Sequence, residues 1–224
     1  MKEDMGFDMM HKLYPEFLKL LEAEDREECA RWALTKLGSG ELDIVTLYEE
    51  VLAPSLNEMK CKDAEAAVCI WKEHVRSSIV RTVIESCYPQ VLKERASRGA
   101  KITGVRAVVV CPSEELHEIG ARMVADFFTL CGYDVTFVGA NMPLDDFLAA
   151  IDIIKPRYVC VSVTNYFNLV AARKVVSKIR AKAAKDVTIV VGGRAFRSNP
   201  DTVREMGADL LLETFEGIRK LGGC

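Results

Sequence analysis

The chain holds three histidines, His11, His74 and His117, and the last has the surroundings that point to chemistry. His117 lies in Glu115-Leu116-His117-Glu118-Ile119-Gly120, between the apolar run Ala107-Val108-Val109-Val110 and an amphipathic run from Ala121. That order predicts a strand, a tight loop and a helix. The imidazole then stands at the carboxyl end of a strand, where open α/β sheets bind ligands. Two other features end apolar runs in the same way: Ser162-Val163-Thr164 and Gly192-Gly193. A hydroxyl there can meet a ligand or cap a turn. Paired glycines allow a tight turn or a close backbone approach. Each feature alone is weak, and a lone His after a strand is commonly a surface residue.

Other chemistries find no support. The eight cysteines are scattered, none forms Cys-x-x-Cys, and several fall inside apolar patterns. They read as buried free thiols in a reducing cytoplasm rather than a disulfide framework. No ligand cluster has zinc spacing. No nucleophile–base pair is recognisable, which disfavours a self-sufficient enzyme. A net charge of −3 gives no electrostatic footprint for direct nucleic-acid binding. The first residues carry no apolar signal core. No apolar run approaches the ~20 residues needed to cross a membrane.

The positioning elements fall into two groups. Residues 1–92 read as a cap domain of four helices. These run from Phe7 to Leu21, from the N-cap Asp25 with its box partner Glu28 to Gly38, from Leu42 to Met59 with a break at Pro54, and from the N-cap Asp63 to Cys87 before Pro89. Short loops between them predict an antiparallel bundle. Residues 93–104 are polar with two glycines and read as a linker. Residues 105–224 alternate strands and helices, and the strands are continuous apolar runs, as strands covered on both faces are. The fold class is therefore α/β: an N-terminal four-helix bundle cap, then a flavodoxin-like, doubly wound, five-stranded parallel sheet in the order 2-1-3-4-5. That order places the three strand-end features on one crevice.

The fourth cap helix carries two stripes. Val68, Trp71, Val75, Ile79 and Val83 have the spacing of a bundle-core face. Ile70, His74, Ser78 and Arg81 form a second, partly polar face. His74 and Arg81 are costly in a plain core, and Ile70 is out of place in solvent. Such a face suits a large, partly polar ligand. The other reading of His74 is a boundary residue paired with a nearby carboxylate.

Taken together and in order, the strand-end motifs resemble the cobalamin-binding domain family. Its pattern is Asp-x-His-x-x-Gly, then Ser-x-Leu or Ser-x-Thr, then Gly-Gly. A helical cap before such a domain is found in methionine synthase, corrinoid methyl carriers and light-sensing cobalamin repressors, so the resemblance covers nearly the whole chain. It implies a cobalamin cofactor in its adenosyl, methyl or hydroxo form. It implies that His117 is the lower cobalt ligand and that Gly120 lets the loop approach the corrin. Ser162 and Thr164 would line the slot for the displaced nucleotide tail, with Gly192 and Gly193 leaving room for it. Glu115 stands where the family has Asp, the residue that orients the His. The longer Glu either reaches the same nitrogen from a shifted backbone or leaves the imidazole unpaired.

The cap must choose the function, because carriers, mutases and photoreceptors share the cobalamin domain. The Phe-Val/Ile-Pro-Glu stretch common in methyl-carrier caps is absent. Glu73-His74 instead resembles the Glu-His pair that faces the upper side of the corrin in the light-sensing repressors. It makes Glu73, His74 and Ser78 candidate cofactor contacts and His74 a candidate upper ligand. The repressors' Trp, about ten residues before the pair, is Asp63 here, and Trp71 is expected in the bundle core. The expectation is a cobalamin-dependent sensor or photoreceptor-type module, acting through a protein partner or homo-oligomer change because cap helices begin almost at residue 7. The alternative is a corrinoid protein carrying methyl groups between methyltransferases. Cofactor storage or delivery is a weaker third reading.

Overall fold

The computed structural model describes residues 2–58, 67–182, 187–197 and 201–222. The chain divides into two compact units, Met1–Glu94 and Arg95–Cys224.

The first unit has four helical stretches among the described residues. They are α1 (Lys2–Glu22), α2 (Arg26–Ser39), a stretch made of α3 (Ile44–Thr46), a π-turn segment Leu47–Leu52 and α4 (Ala53–Asn57), and α5 (Cys69–Ser97). Asp25 caps α2 through the Glu28 N–H at 3.0 Å, as its spacing predicts. The helix passes Gly38 and ends at Ser39, because Gly40 takes the left-handed C-cap position at φ 77°. Pro54 lies in the first turn of α4, where a missing N–H is tolerated. The core gathers Phe17, Leu21, Leu47, Tyr48, Val51 and Leu52, none of them exposed. The expected N-cap Asp63 lies outside the described residues, as do Met59, Cys61, Cys224 and the side chain of His11.

Helix α5 departs from expectation in two ways. It continues through Pro89 instead of stopping at Cys87, and so occupies the first part of the expected linker. A proline inside a helix costs about 3 kcal/mol. Beyond it, Val91 is fully buried, and the Glu94 carboxylate accepts the Ile44 N–H at 2.8 Å. Burying one aliphatic side chain contributes about 1.5–3 kcal/mol, so these tertiary bonds offset the break. The buried stripe also starts later than its period suggests. Ile79 and Val83 are buried, but Val68 and Trp71 are 45% and 68% exposed. Trp71 is not a bundle-core residue.

The second unit alternates β1 (Arg106–Val110), α6 (Ile119–Leu130), β2 (Asp134–Gly139), α7 (Leu144–Ile154), β3 (Tyr158–Ser162), α8 (Leu169–Lys182), β4 (Thr188–Gly192), α9 (Asp201–Glu205), β5 (Leu210–Leu211) and α10 (Phe215–Arg219). The sheet order is β2-β1-β3-β4-β5, as predicted, and every pairing is parallel. Val108, Val159, Ile189 and Val191 are fully buried, together with Phe196 and Val176 on the covering elements. The inner stretches of β1, β3 and β4 are buried without interruption, as strands covered on both faces are, whereas the edge strand β2 carries Asp134 and Thr136 and is buried only at Gly139.

Cys29, Cys87, Cys111 and Cys160 are free and buried, as expected. Burial pushes the Cys29 thiol up to about 11 and the Cys111 thiol up to about 12, so both stay protonated and unreactive. Cys69 in the first unit and Cys131 in the second each take part in a disulfide, which corrects the expectation of free thiols throughout. Among the described residues, no helix is long and apolar enough to cross a membrane.

Candidate metal centre

The loop after β1 carries a buried carboxylate and a half-exposed imidazole. The Glu115 side chain is fully buried and that of His117 is 53% exposed. Oε1 of Glu115 lies 2.5 Å from Nδ1 of His117 and also accepts the His117 backbone N–H at 3.0 Å. Oε2 accepts the N–H groups of Thr164 and Asn165, each at 2.9 Å. The glutamate therefore does reach the imidazole, the first of the two outcomes its length allowed.

The electrostatics follow from these bonds. Burial alone would raise the Glu115 pKa. Hydrogen bonds from the Asn165 and His117 backbones, the His117 ring and the Asn168 amide outweigh it and hold the carboxyl below its usual range. An ionised carboxylate can only accept, so Nδ1 carries a ring proton, and the neutral ring has its lone pair on Nε2. Nε2 has no hydrogen-bond partner among the described residues. This is an imidazole oriented from behind and free to donate to a metal in front.

The expected strand-end residues come together in part. Thr164 joins the Glu115 clamp through its backbone N–H rather than its hydroxyl. Ser162 pairs in register with Gly192 across β3 and β4. A Cβ on Gly192 would lie 2.5 Å from the Leu212 carbonyl, and one on Gly193 the same distance from that of Val163. Both glycines are thus required by close backbone approach. Gly193 also adopts φ 99°, which L side chains avoid. Gly193→Ala is expected to destabilise the protein by about 1–3 kcal/mol, read as a lowered denaturant midpoint at unchanged slope. Gly120, at the start of α6, is different: a Cβ there would meet nothing within 4 Å. Space beside His117 is open at that point.

Glu73, His74 and Ser78 belong to α5 in the helical unit, and all three are exposed. His74 has no partner among the described residues, so the paired-boundary reading finds no carboxylate there. Asn141, Asn165 and Asn168 form part of the network around His117 and were not foreseen. Their only sequence signal is asparagine in loops that the predicted topology places beside β1.

A cleft of about 410 Å³ opens at the opposite, amino-terminal ends of the strands, lined by Arg106, Lys155, Arg157, Tyr133 and Tyr158 among others. Its arginines already face carboxylates: Arg106 lies 3.9 Å from Asp134, and Arg157 acts on Asp209.

Among the described residues, no three His, Cys, Asp or Glu side chains converge to hold a metal ion. A single imidazole suits a metal whose other positions are filled by a macrocycle. Residues 105–219 match the B12 binding domain family. The chain belongs to that family. It binds cobalamin, and the anchored imidazole beside an open glycine fits a corrin-held cobalt.

The relatives are of two kinds. The HTH-type transcriptional repressor CarH of Myxococcus xanthus is 28% identical over 152 residues, 68% of this chain and 48% of its own length. CarA of the same organism is 24% identical over 169 residues, 75% of this chain and 54% of its own length. The chain thus spans about half the length of these repressors. Trimethylamine corrinoid protein 1 of Methanosarcina acetivorans is 23% identical over 192 residues, 85% of this chain and 86% of its own length. The solved structure of the Methanosarcina barkeri monomethylamine corrinoid protein has the same fold, with a TM-score of 0.79 at 13% identity, covering 94% of this chain and 97% of that one.

Proposed function

We propose that this protein is a cobalamin-dependent sensor that signals from the cytoplasm through a protein partner or a change of oligomer. The observation that carries this reading is the exposed face at the start of α5. Ile70 is 73% exposed and Trp71 68% exposed, with the exposed Glu73 and His74 beside them. An imidazole next to a carboxylate, with an indole at hand, is suited to holding and covering an upper axial ligand. A carrier that must hand on a methyl group gains nothing from such a competing donor. The likeness to CarH supports the same reading. Its 152 residues exceed the 105–219 match, so it extends into residues before 105.

In this reading His117 is the lower ligand. Glu115 orients it, Gly120 leaves the approach open, and Ser162, Thr164 and the Gly192-Gly193 pair line the tail slot. Cobalamin supplies a cobalt centre whose axial positions exchange. The protein's own part is to hold the Nε2 lone pair forward and to present Glu73 and His74 on the cap. Absorption spectra with adenosyl-, methyl- and hydroxocobalamin, in the dark and after illumination, test it. The expected result is a light-dependent change of spectrum and of assembly with an alkylcobalamin. Identical dark and lit behaviour would remove the photoreceptor version.

A second reading is a corrinoid protein that carries methyl groups between methyltransferases. Its support is reciprocal coverage: the trimethylamine corrinoid protein and this chain each match over about 85% of their length. Acceptance of a methyl group from a partner methyltransferase, with turnover, would favour it over the sensor.

A further inference from the structure

A glutamate is one methylene longer than the aspartate that the family pattern has at position 115. For its carboxylate to meet His117 at 2.5 Å, the backbone before it must be set back. The structure supplies a cause. Glu114 adopts the left-handed conformation, φ 70°, rare for a residue with a side chain. It is held there from both sides. Its N–H donates to Oδ1 of Asn141 at 2.9 Å, and its carbonyl accepts Nδ2 of Asn168 at 3.2 Å. Asn141 is itself left-handed, φ 53°, and its N–H donates to the Glu115 carbonyl at 3.1 Å. The two asparagines come from different loops, after β2 and after β3, and grip the peptides on either side of one residue, Glu114, in the loop after β1.

Asn168 is the more constrained of the two. The residue is 7% exposed, and its amide stands close enough to the Glu115 carboxylate to help hold that carboxyl below its usual range. One buried amide thus holds the carbonyl before Glu115 and stands beside the carboxylate at its end. A buried polar group satisfied in this way fixes a single arrangement.

We propose that Asn168, with Asn141 opposite, is a positioning residue for His117: it stabilises the left-handed Glu114 that lets a glutamate present Oε1 to the imidazole. The proposal rests on the cobalamin reading only for its affinity measurement, since the imidazole's tautomer can be read without cofactor.

The test uses Glu114, whose side chain is exposed and whose backbone matters. Glycine adopts φ 70° without strain, and a β-branched residue resists it. In cofactor-free, nitrogen-15-labelled protein, the His117 ring signals should report the Nδ1–H tautomer in the wild type and in Glu114→Gly. Both tautomers should appear in Glu114→Val and Asn168→Leu. With hydroxocobalamin, the latter two should bind about 10–100-fold more weakly, the usual effect of removing support behind a metal ligand. Neither should lose anything further in a His117→Ala background. Wild-type tautomer and affinity in Glu114→Val would overturn the proposal. So would an Asn168→Leu loss that persists undiminished without His117, because Asn168 would then act on the cofactor directly. If wild-type protein lacks a histidine-ligated spectrum, the ligation reading fails, while the tautomer comparison still decides the positioning role.

Discussion

Replacing His117 by alanine is expected to leave the protein folded and to abolish lower ligation of cobalt. The His117 side chain is 53% exposed, and its ring makes its bond through Nδ1 to Glu115. A hydrogen bond to a charged group contributes about 1.5–3 kcal/mol, and water entering at the half-exposed ring position replaces part of it, so a loss of about 1 kcal/mol is expected. Removing the ligand itself should exceed the about 10–100-fold loss typical of removing its support. The cobalamin spectrum of His117→Ala should therefore lose its histidine-ligated character, with affinity down by more than about 100-fold, while thermal melting of the cofactor-free protein falls by only about 2–4 °C. His74→Ala run beside it separates the two faces: it should spare the lower ligation and alter the response of the upper ligand. A His117→Ala protein whose spectrum matches the wild type would exclude His117 as the ligand.

Glu115→Ala should cost stability as well as ligation. The carboxylate is fully buried and accepts three backbone N–H groups, from His117, Thr164 and Asn165. Hydrogen bonds to a charged group contribute about 1.5–3 kcal/mol each, and donors left buried without an acceptor carry a desolvation penalty. Partial entry of water reduces the sum, so a loss of about 3 kcal/mol is expected, or roughly 10 °C in melting temperature for a chain of this size. Glu115→Asp makes the sharper comparison. The resemblance alone suggests that Asp strengthens lower ligation by restoring the family's residue. The structure predicts the reverse. Oε2 is clamped by the loop after β3 while Oε1 meets the imidazole, and a shorter side chain cannot span both. Tighter cobalamin binding by Glu115→Asp would show that the surrounding loops adapt rather than dictate.

Much of the fold follows from local pattern. The central strands of the second unit hold continuous apolar runs, and amphipathic helices separate them. Right-handed crossovers leave few ways to order them, and the order β2-β1-β3-β4-β5 is among the simplest. Asp25 at its cap was legible too, because a cap bond spans only three residues. Helix α5 was misread for a related reason. A helical period says which residues share a face, not whether anything covers that face, so Trp71 looked like core and is 68% exposed. Pro89 read as a stop because its cost is local. The bonds that carry α5 past it join residues 50 apart, Ile44 and Glu94.

The same division runs through the metal centre. His117, Gly120, Ser162 and Gly192-Gly193 could be picked out from the chain, because the roles proposed for them depend on residue type and on falling at the ends of strands. Their place in the B12 binding domain family follows from that spacing. Whether Glu115 would reach His117 could not be read there. The answer depends on N–H groups at Thr164 and Asn165, 49 and 50 residues away, and on the Asn168 amide, 54 residues from Glu114. Only the pairing of β1 with β3 brings them to the carboxylate. Sequence alone determined which atom could bind cobalt. Tertiary structure decided that the atom is held ready, because the hydrogen bonds that hold it come from a loop that is near in space and distant along the chain.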